Sequence, residues 1–252
     1  MYNFDVKKTT ENCIKYIQDW FVENGPGCNA VVGISGGVDS SVVAALCTKA
    51  LGKDKVIGIM MPDGRQKDID YSYALVNFLG IKSVLIQIGA IVNSLEYEVK
   101  TSMDNRLSRQ ALINIPPRIR MTTLYAVSQS MNGRVINTCN LSEDWLGFNS
   151  LYGDSAGDVS PLANLTKTEV IAIGRYLGLP ELLMSKAPSD GLTGITDEEA
   201  FGFTYEVLDK YLRTGEINDL NIKRMIDERH RKNLFKLKPM ATFNPYLEVM
   251  CA

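Results

Sequence analysis

Nine consecutive residues carry the densest chemistry in this sequence: Gly33-Ile34-Ser35-Gly36-Gly37-Val38-Asp39-Ser40-Ser41. Two adjacent glycines remove side-chain bulk and open positive φ, so backbone N–H groups can converge on an anion. A helix beginning just afterwards adds its unpaired N–H groups and the positive end of its dipole. Ser35, Ser40 and Ser41 contribute hydroxyl donors, and Asp39 sets a carboxylate where a divalent cation would meet phosphate oxygens. The plain alternative is a tight strand-to-helix turn with Asp39 or Ser40 serving only as a helix cap. Strand, SGGxDS and helix in that order are more specific than such a turn requires. No Gly-Lys-Ser/Thr follows at Walker spacing, so this is a different kind of phosphate loop.

Four further stretches hold polar groups at the ends of apolar segments. Met61-Pro62-Asp63-Gly64-Arg65-Gln66 follows a second apolar run, and Arg118-Ile119-Arg120-Met121-Thr122-Thr123-Leu124-Tyr125 sets two arginines on one short segment. Thr138-Cys139-Asn140-Leu141-Ser142-Glu143-Asp144 closes a fourth apolar run. Gly153-Asp154, Asp158 to Leu162 and Leu165-Thr166-Lys167 fall in a glycine-rich region beyond it.

Positioning these residues requires a scaffold, and the pattern supplies one. Ala30–Ile34, Val56–Met61 and Arg134–Cys139 are short, β-branched and without polar alternation, as expected of strands covered on both faces, and Ser83–Ile88 is read as a further strand between the last two. Helical periodicity is read over Asp5–Asn24, Ser40–Leu51, Gln66–Leu79, Lys167–Leu177, Asp197–Leu212 and Leu220–Asn233. Residues 89–131 are also helical, with Pro116-Pro117 expected to prevent one continuous helix. Residues 140–166 read as a long functional loop. The alternation of strand and helix predicts an α/β fold: a parallel, doubly wound sheet of about five strands with helices on both faces. One domain over residues 1–252 is the expected organisation.

Composition narrows the function classes. The 252 residues are 45% hydrophobic and 22% charged, with 27 basic and 29 acidic side chains and a net charge of -2, which argues against a nucleic-acid coat. Cys13, Cys28, Cys47, Cys139 and Cys251 form no CxxC pair, which argues against a zinc knuckle or disulfide framework and for a reducing compartment. No apolar run approaches the ~20 residues of a membrane helix, and the polar N-terminus lacks a signal-peptide pattern. A cytoplasmic protein without membrane or nucleic-acid partners is expected.

The glycine loop resembles the pyrophosphatase loop of the N-type ATP pyrophosphatases, whose fold is adenine-nucleotide α-hydrolase-like. With the four other stretches, the chain from about Tyr16 to Arg231 resembles the ammonia-dependent NAD synthetase family. That resemblance implies amidation of nicotinic acid adenine dinucleotide by ammonia to NAD through an acyl-adenylate, with release of AMP and pyrophosphate. Gly33, Ile34, Ser35, Gly36, Gly37, Val38, Asp39 and Ser40 would hold the ATP phosphates, and Thr138, Lys167 and Ser189 match further ATP contacts. Asp39 and Glu143 match magnesium ligands. Arg118, Leu151, Asp158, His230 and Arg231 match positions that contact the dinucleotide, although the family often has Lys at the position of Leu151. A homodimer is implied, with an interface expected in region 89–131. Only one helix precedes the synthetase-like region, so free ammonia is the implied nitrogen source.

The chemistry asks for the same residue types. Adenylating a carboxylate brings an anion up to a triphosphate, so Asp39, Glu143 and a bound cation, with Lys167 fixed nearby, would neutralise charge. Asp158 is a candidate proton acceptor for ammonium. The competing readings are a GMP-synthetase-like amidation, a tRNA-modifying adenylation, and a nonenzymatic adenine-nucleotide sensor.

Overall fold

The computed structural model describes residues 2–64, 66, 68–186 and 196–245. Among these, four strands form the sheet: β1 (Asn29–Gly33), β2 (Val56–Met60), β3 (Lys82–Leu85) and β4 (Gly133–Ile136), in the order β3-β2-β1-β4. Every pairing is parallel, with Val31 opposite Ile57 on one side and Val135 on the other. The parallel α/β expectation holds, with one strand fewer than the five anticipated. Beyond β4 the chain makes a single parallel bridge, Ile136 to Val159, because the backbone there turns away through the glycine-rich region.

Two helical layers cover the sheet. On one face α1 (Val6–Asn24), α2 (Val38–Leu51), α3 (Ile69–Leu79) and α7 (Lys167–Tyr176) pack around a core that includes Ile17, Val42, Leu46, Leu75 and Ile173. Helix α2 is apolar almost all round because α1, α7, β1 and β2 enclose it. On the other face α4 (Gly89–Ser102) and α5 (Arg109–Ser130) cover Val31, Ile57, Ile59 and Val135. The edge strand β3 is exposed along its length. A third apolar cluster, around Phe201, Tyr205, Leu208 and Ile226, joins α6 (Leu141–Leu146) to the later helices. Those are α9 (Asp197–Phe201), α10 (Tyr205–Thr214) and α11 (Leu220–Asn233), whereas the short α8 (Glu181–Met184) packs into the first core through Leu183 and Met184.

Three element expectations are corrected. Helix α5 runs unbroken through Pro116 and Pro117, capped by Ser108, whose Oγ accepts from Ala111 N at 3.2 Å. Interior prolines forfeit backbone hydrogen bonds and cost ~3 kcal/mol or more each, but both rings are buried. A Cβ on Gly153 would lie only 3.2 Å from Pro117, so the 150–155 turn packs closely on that residue. The single helix expected over Asp197–Leu212 is instead α9 and α10, broken at Gly202, where φ is 82°. The long loop contains α6, opened by Asn140, whose Oδ1 accepts from Glu143 N at 3.1 Å, and closed by left-handed Gly147.

The strand order fixes where a ligand can sit. Sequence runs outward from β1 through β2 to β3, then returns to place β4 on the opposite side of β1. The strand order reverses between β1 and β4, and in such a sheet a ligand crevice forms at the carboxyl ends of those two strands. The glycine loop follows β1, and Thr138 to Glu143 follow β4.

Candidate active site

The glycine loop is held by close packing as much as by hydrogen bonds. Gly36 has φ of 75°, and a Cβ there would lie 2.8 Å from Tyr71 Cβ and 3.0 Å from Ser72 N. Ser72 Oγ donates to Ile34 O at 3.3 Å, tying the loop to α3. Ser35 and Ser40 hydroxyls lie 3.1 Å apart, Gly37 N donates to Ser35 Oγ at 3.2 Å, and Ser41 Oγ donates to Gly37 O at 2.7 Å. The N-cap of α2 is Gly37, with no side-chain cap, so neither Asp39 nor Ser40 plays the capping part. Ile34 and Val38 are buried in the core, so these two can offer a ligand only their backbone.

Asp39 instead faces across the crevice. Lys167 Nζ lies 2.6 Å from Asp39 Oδ2 and 2.7 Å from Glu143 Oε1, with the lysine side chain only 3% exposed. Asn140 Nδ2 donates to Asp39 Oδ1 at 2.9 Å. Three elements converge here for local reasons. Asp39 is in the first turn of α2, Glu143 in the first turn of α6, and Lys167 is the first residue of α7, after a Thr166–Glu169 capping box. Ser142 and Asp209 lace them together: Lys167 N donates to Ser142 Oγ, Ser142 Oγ to Asp209 Oδ1, and Thr168 N to Asp209 Oδ2. Lys167 also lies 5.1 Å from the centroid of the Tyr205 ring.

The electrostatics follow from this enclosure. Burial opposes the Lys167 ammonium, but Asp39 and Glu143 outweigh it and hold its pKa above the ordinary lysine value. Burial pushes the Glu143 carboxyl upward, Lys167 pulls it back and Asp39 pushes it up again, with a net rise. Tyr205 is held neutral by burial and by the negative charges of Glu143 and Asp197. Two carboxylates already gripping one ammonium make a seat for positive charge. No cluster of three or more His, Cys, Asp or Glu suited to a metal occurs among the described residues. Two acidic oxygen donors beside a phosphate loop suit magnesium, which binds through one or two carboxylates plus phosphate oxygens and water.

The remaining predicted residues divide into groups. Thr138 is half-buried just after β4, beside the crevice. Arg118 is exposed, and its Nε donates to the carbonyl of half-buried Leu151 at 3.2 Å. His230 stacks on Trp145 with ring centroids 3.8 Å apart, its Nδ1 3.0 Å from Trp145 O, and the adjoining Arg231 is exposed. Asp158 is not joined to the triad: its Oδ2 accepts from Val135 N at 2.7 Å and its Oδ1 from Tyr125 OH at 3.2 Å. Ser189 lies outside the described residues. Sequence reasoning missed Asn140, Ser142, Tyr205 and Asp209 as supports, while Arg120, the second arginine noted beside Arg118, donates from Nε to Met61 O at 3.2 Å. Asn140 carried a usable signal, an N-capping residue three places before Glu143.

Residues 9–244 match the family model described as NAD synthase. The chain belongs to the NAD synthase family. It is thereby a ligase, and its relatives agree. An NH(3)-dependent NAD(+) synthetase of Pyrococcus furiosus is 39% identical over 222 residues, covering 84% of this chain and 85% of that one. Among solved structures, an NMN synthetase from Francisella tularensis superposes with a TM-score of 0.88 at 31% identity, over 96% of this chain and 100% of that one. An NH3-dependent NAD synthetase from Campylobacter jejuni gives 0.78 at 31% identity, with the same coverage. No helix among the described residues is long and apolar enough to cross a membrane.

Proposed function

We propose that this member of the NAD synthase family amidates nicotinic acid adenine dinucleotide with ammonia, through an acyl-adenylate, releasing AMP and pyrophosphate. The observation that carries the reading is the Asp39–Lys167–Glu143 triad beside the glycine loop, at the crevice between β1 and β4. In this reading Gly33 to Ser40 bind the ATP phosphates through backbone N–H groups and hydroxyls, with Thr138, Lys167 and Ser189 as further contacts. Asp39 and Glu143 hold magnesium, which when bound neutralises phosphate charge and steadies the departing pyrophosphate. Lys167 leaves its carboxylate partners for the phosphates, carrying a fixed positive charge to where negative charge develops. The nicotinate carboxylate attacks the α-phosphorus, pyrophosphate leaves, and ammonia then displaces AMP from the acyl carbon. Asn140 orients Asp39 throughout. Arg118, Leu151, Asp158, His230 and Arg231 line the acceptor's path along segment 147–158 and the C-terminal helix.

The protein acts as a cytoplasmic homodimer in this account. An apolar hollow of about 530 Å³ on the outer face of α5, lined by Ile86, Ile91, Ile119, Ala126 and Val127 among others, supports pairing through that helix. A second acceptor, nicotinic acid mononucleotide, is favoured by one observation: the backbone superposes better on the NMN synthetase than on the Campylobacter enzyme at the same sequence identity. The deciding experiment supplies ATP, magnesium and ammonium with either acceptor and separates the nucleotides. NAD and AMP formed in equal amounts support the main reading, and faster turnover of the mononucleotide would select the second. AMP without an amidated product would send the search to another acceptor.

A further inference from the structure

Helix α10 is anchored in the third apolar cluster by Tyr205 and Leu208, and along it Tyr205, Asp209 and Arg213 recur every fourth residue. Residues four apart share one face of a helix. Here that face meets the start of α7. The Tyr205 ring centroid lies 5.1 Å from Lys167 Nζ. Asp209 Oδ2 accepts from Thr168 N at 2.8 Å, and its Oδ1 accepts from Ser142 Oγ at 2.5 Å. Arg213 holds both oxygens of Glu169, from Nε at 2.7 Å and from Nη2 at 2.6 Å, and its Nη2 also donates to Asn164 O at 2.8 Å. Glu169 Oε2 in turn accepts from Thr166 N at 2.8 Å. The backbone on both sides of Lys167 is thereby tied to one helix.

The ties answer a local problem. The first N–H groups of a helix have no partner within it, and the positive end of the dipole disfavours an ammonium at the first position, which Lys167 occupies. Lys167 N donates to Ser142 Oγ and Thr168 N to Asp209, so both donors are used, and the buried Asp209 carboxylate sets negative charge at that helix end. Ser142 directly precedes Glu143, so Asp209 also ties together the two backbones that carry Lys167 and Glu143.

We propose that Asp209 and Arg213 are positioning residues for Lys167, fixing the backbone from which its ammonium passes from the two carboxylates to the ATP phosphates. The proposal rests on the reading above for the part Lys167 plays and extends it to α10, which lies outside both the glycine loop and the triad. A misplacement of about 1 Å at such a charge costs on the order of a hundredfold in rate.

The test uses the full chain with Asp209→Asn and Arg213→Met, each alone and combined with Lys167→Met. Calorimetry reads binding of ATP with magnesium, thermal melts read Tm, and single-turnover assays with nicotinic acid adenine dinucleotide read pyrophosphate release. Each single variant should weaken ATP binding by about tenfold, the loss expected for one misplaced charge-assisted contact. Pyrophosphate release at saturating ATP should slow by about ten- to a hundredfold, and Arg213→Lys, which keeps a cation facing Glu169, should recover most of it. In the Lys167→Met background the same substitutions should change ATP affinity by less than about twofold, because the group they position is gone. Their effect on Tm should persist in both backgrounds. Unchanged ATP affinity and release in both single variants would overturn the proposal. So would an equal loss of ATP affinity in the Lys167→Met background, the mark of residues that only hold the fold together. Should Asp209→Asn fail to fold, Arg213→Met at its 25% exposed site carries the same comparison. A wild-type protein that shows the Lys167-dependent coupling in ATP binding but never amidates the acceptor would refute the reaction and leave the positioning role standing.

Discussion

Replacing Lys167 by Met isolates the charge at the centre of the site, since the methionine stem fills nearly the same space. Lys167 is almost fully enclosed, and its two carboxylate partners are each only 17% exposed. Removing one partner of a buried ion pair costs about 3–5 kcal/mol, because the other charges remain without compensation. For a chain of this size each kcal/mol shifts Tm by roughly 2–4 °C, so the variant should melt about 6–20 °C lower near neutral pH. The pH dependence carries the sharper signature. Burial and the neighbouring Asp39 charge already raise the Glu143 carboxyl, and without the ammonium that pulls it back its folded-state pKa lies still further above its unfolded value of about 4. The folded variant then binds a proton more tightly than the unfolded chain, so its stability rises as pH falls towards the unfolded pKa. The deficit against wild type should be largest above the folded pKa and shrink steadily on acidification. Magnesium should stabilise the variant more than the wild type, since no ammonium has to be displaced. Thermal melts across pH, with and without magnesium, read all three effects. A variant as stable as wild type at neutral pH, or a deficit independent of pH, would refute the reasoning that Lys167 compensates two buried carboxylates.

Other perturbations address separate parts of the site. Asp39→Asn keeps the shape but removes a charge from the cation seat, so magnesium-dependent pyrophosphate release should fall at least a hundredfold, while Tm should fall less than in Lys167→Met because Glu143 still faces the ammonium; near-normal turnover would remove Asp39 from that role. Gly36→Ala forces a Cβ into Tyr71 and Ser72 at positive φ, which should cost about 1–3 kcal/mol in denaturant unfolding and raise KM for ATP; a change below about 0.5 kcal/mol would mean that the loop accommodates side chains freely. Ala126→Arg in the α5 hollow should convert a dimer to a monomer in sedimentation velocity, and an unaffected dimer would move the interface elsewhere.

The legible part of this protein was the part governed by local rules. The glycine loop announced itself because only glycine tolerates the φ and the close approach at position 36, and the buried strands because their β-branched runs lack polar alternation. What escaped was set by contacts distant in sequence. Pro116 and Pro117 signal a helix break, yet both sit buried inside α5, with the 150–155 turn packed on Pro117. The mutual grip of Asp39, Glu143 and Lys167 depends on three helix starts, with Asp39 and Lys167 separated by 128 residues, so their types were readable and their ion pairing was not. Asp158 was read as a proton acceptor from its residue type alone. Its hydrogen bonds to Val135 N and Tyr125 OH instead engage it along β4.

The central claim is that the acceptor's own carboxylate is adenylated before nitrogen arrives. Nicotinic acid adenine dinucleotide labelled with oxygen-18 in that carboxylate tests it directly, with ATP, magnesium and ammonium, followed by mass spectrometry of the products. The account predicts one labelled oxygen in the phosphate of AMP for each NAD formed, and none in pyrophosphate. NAD accompanied by unlabelled AMP would contradict it.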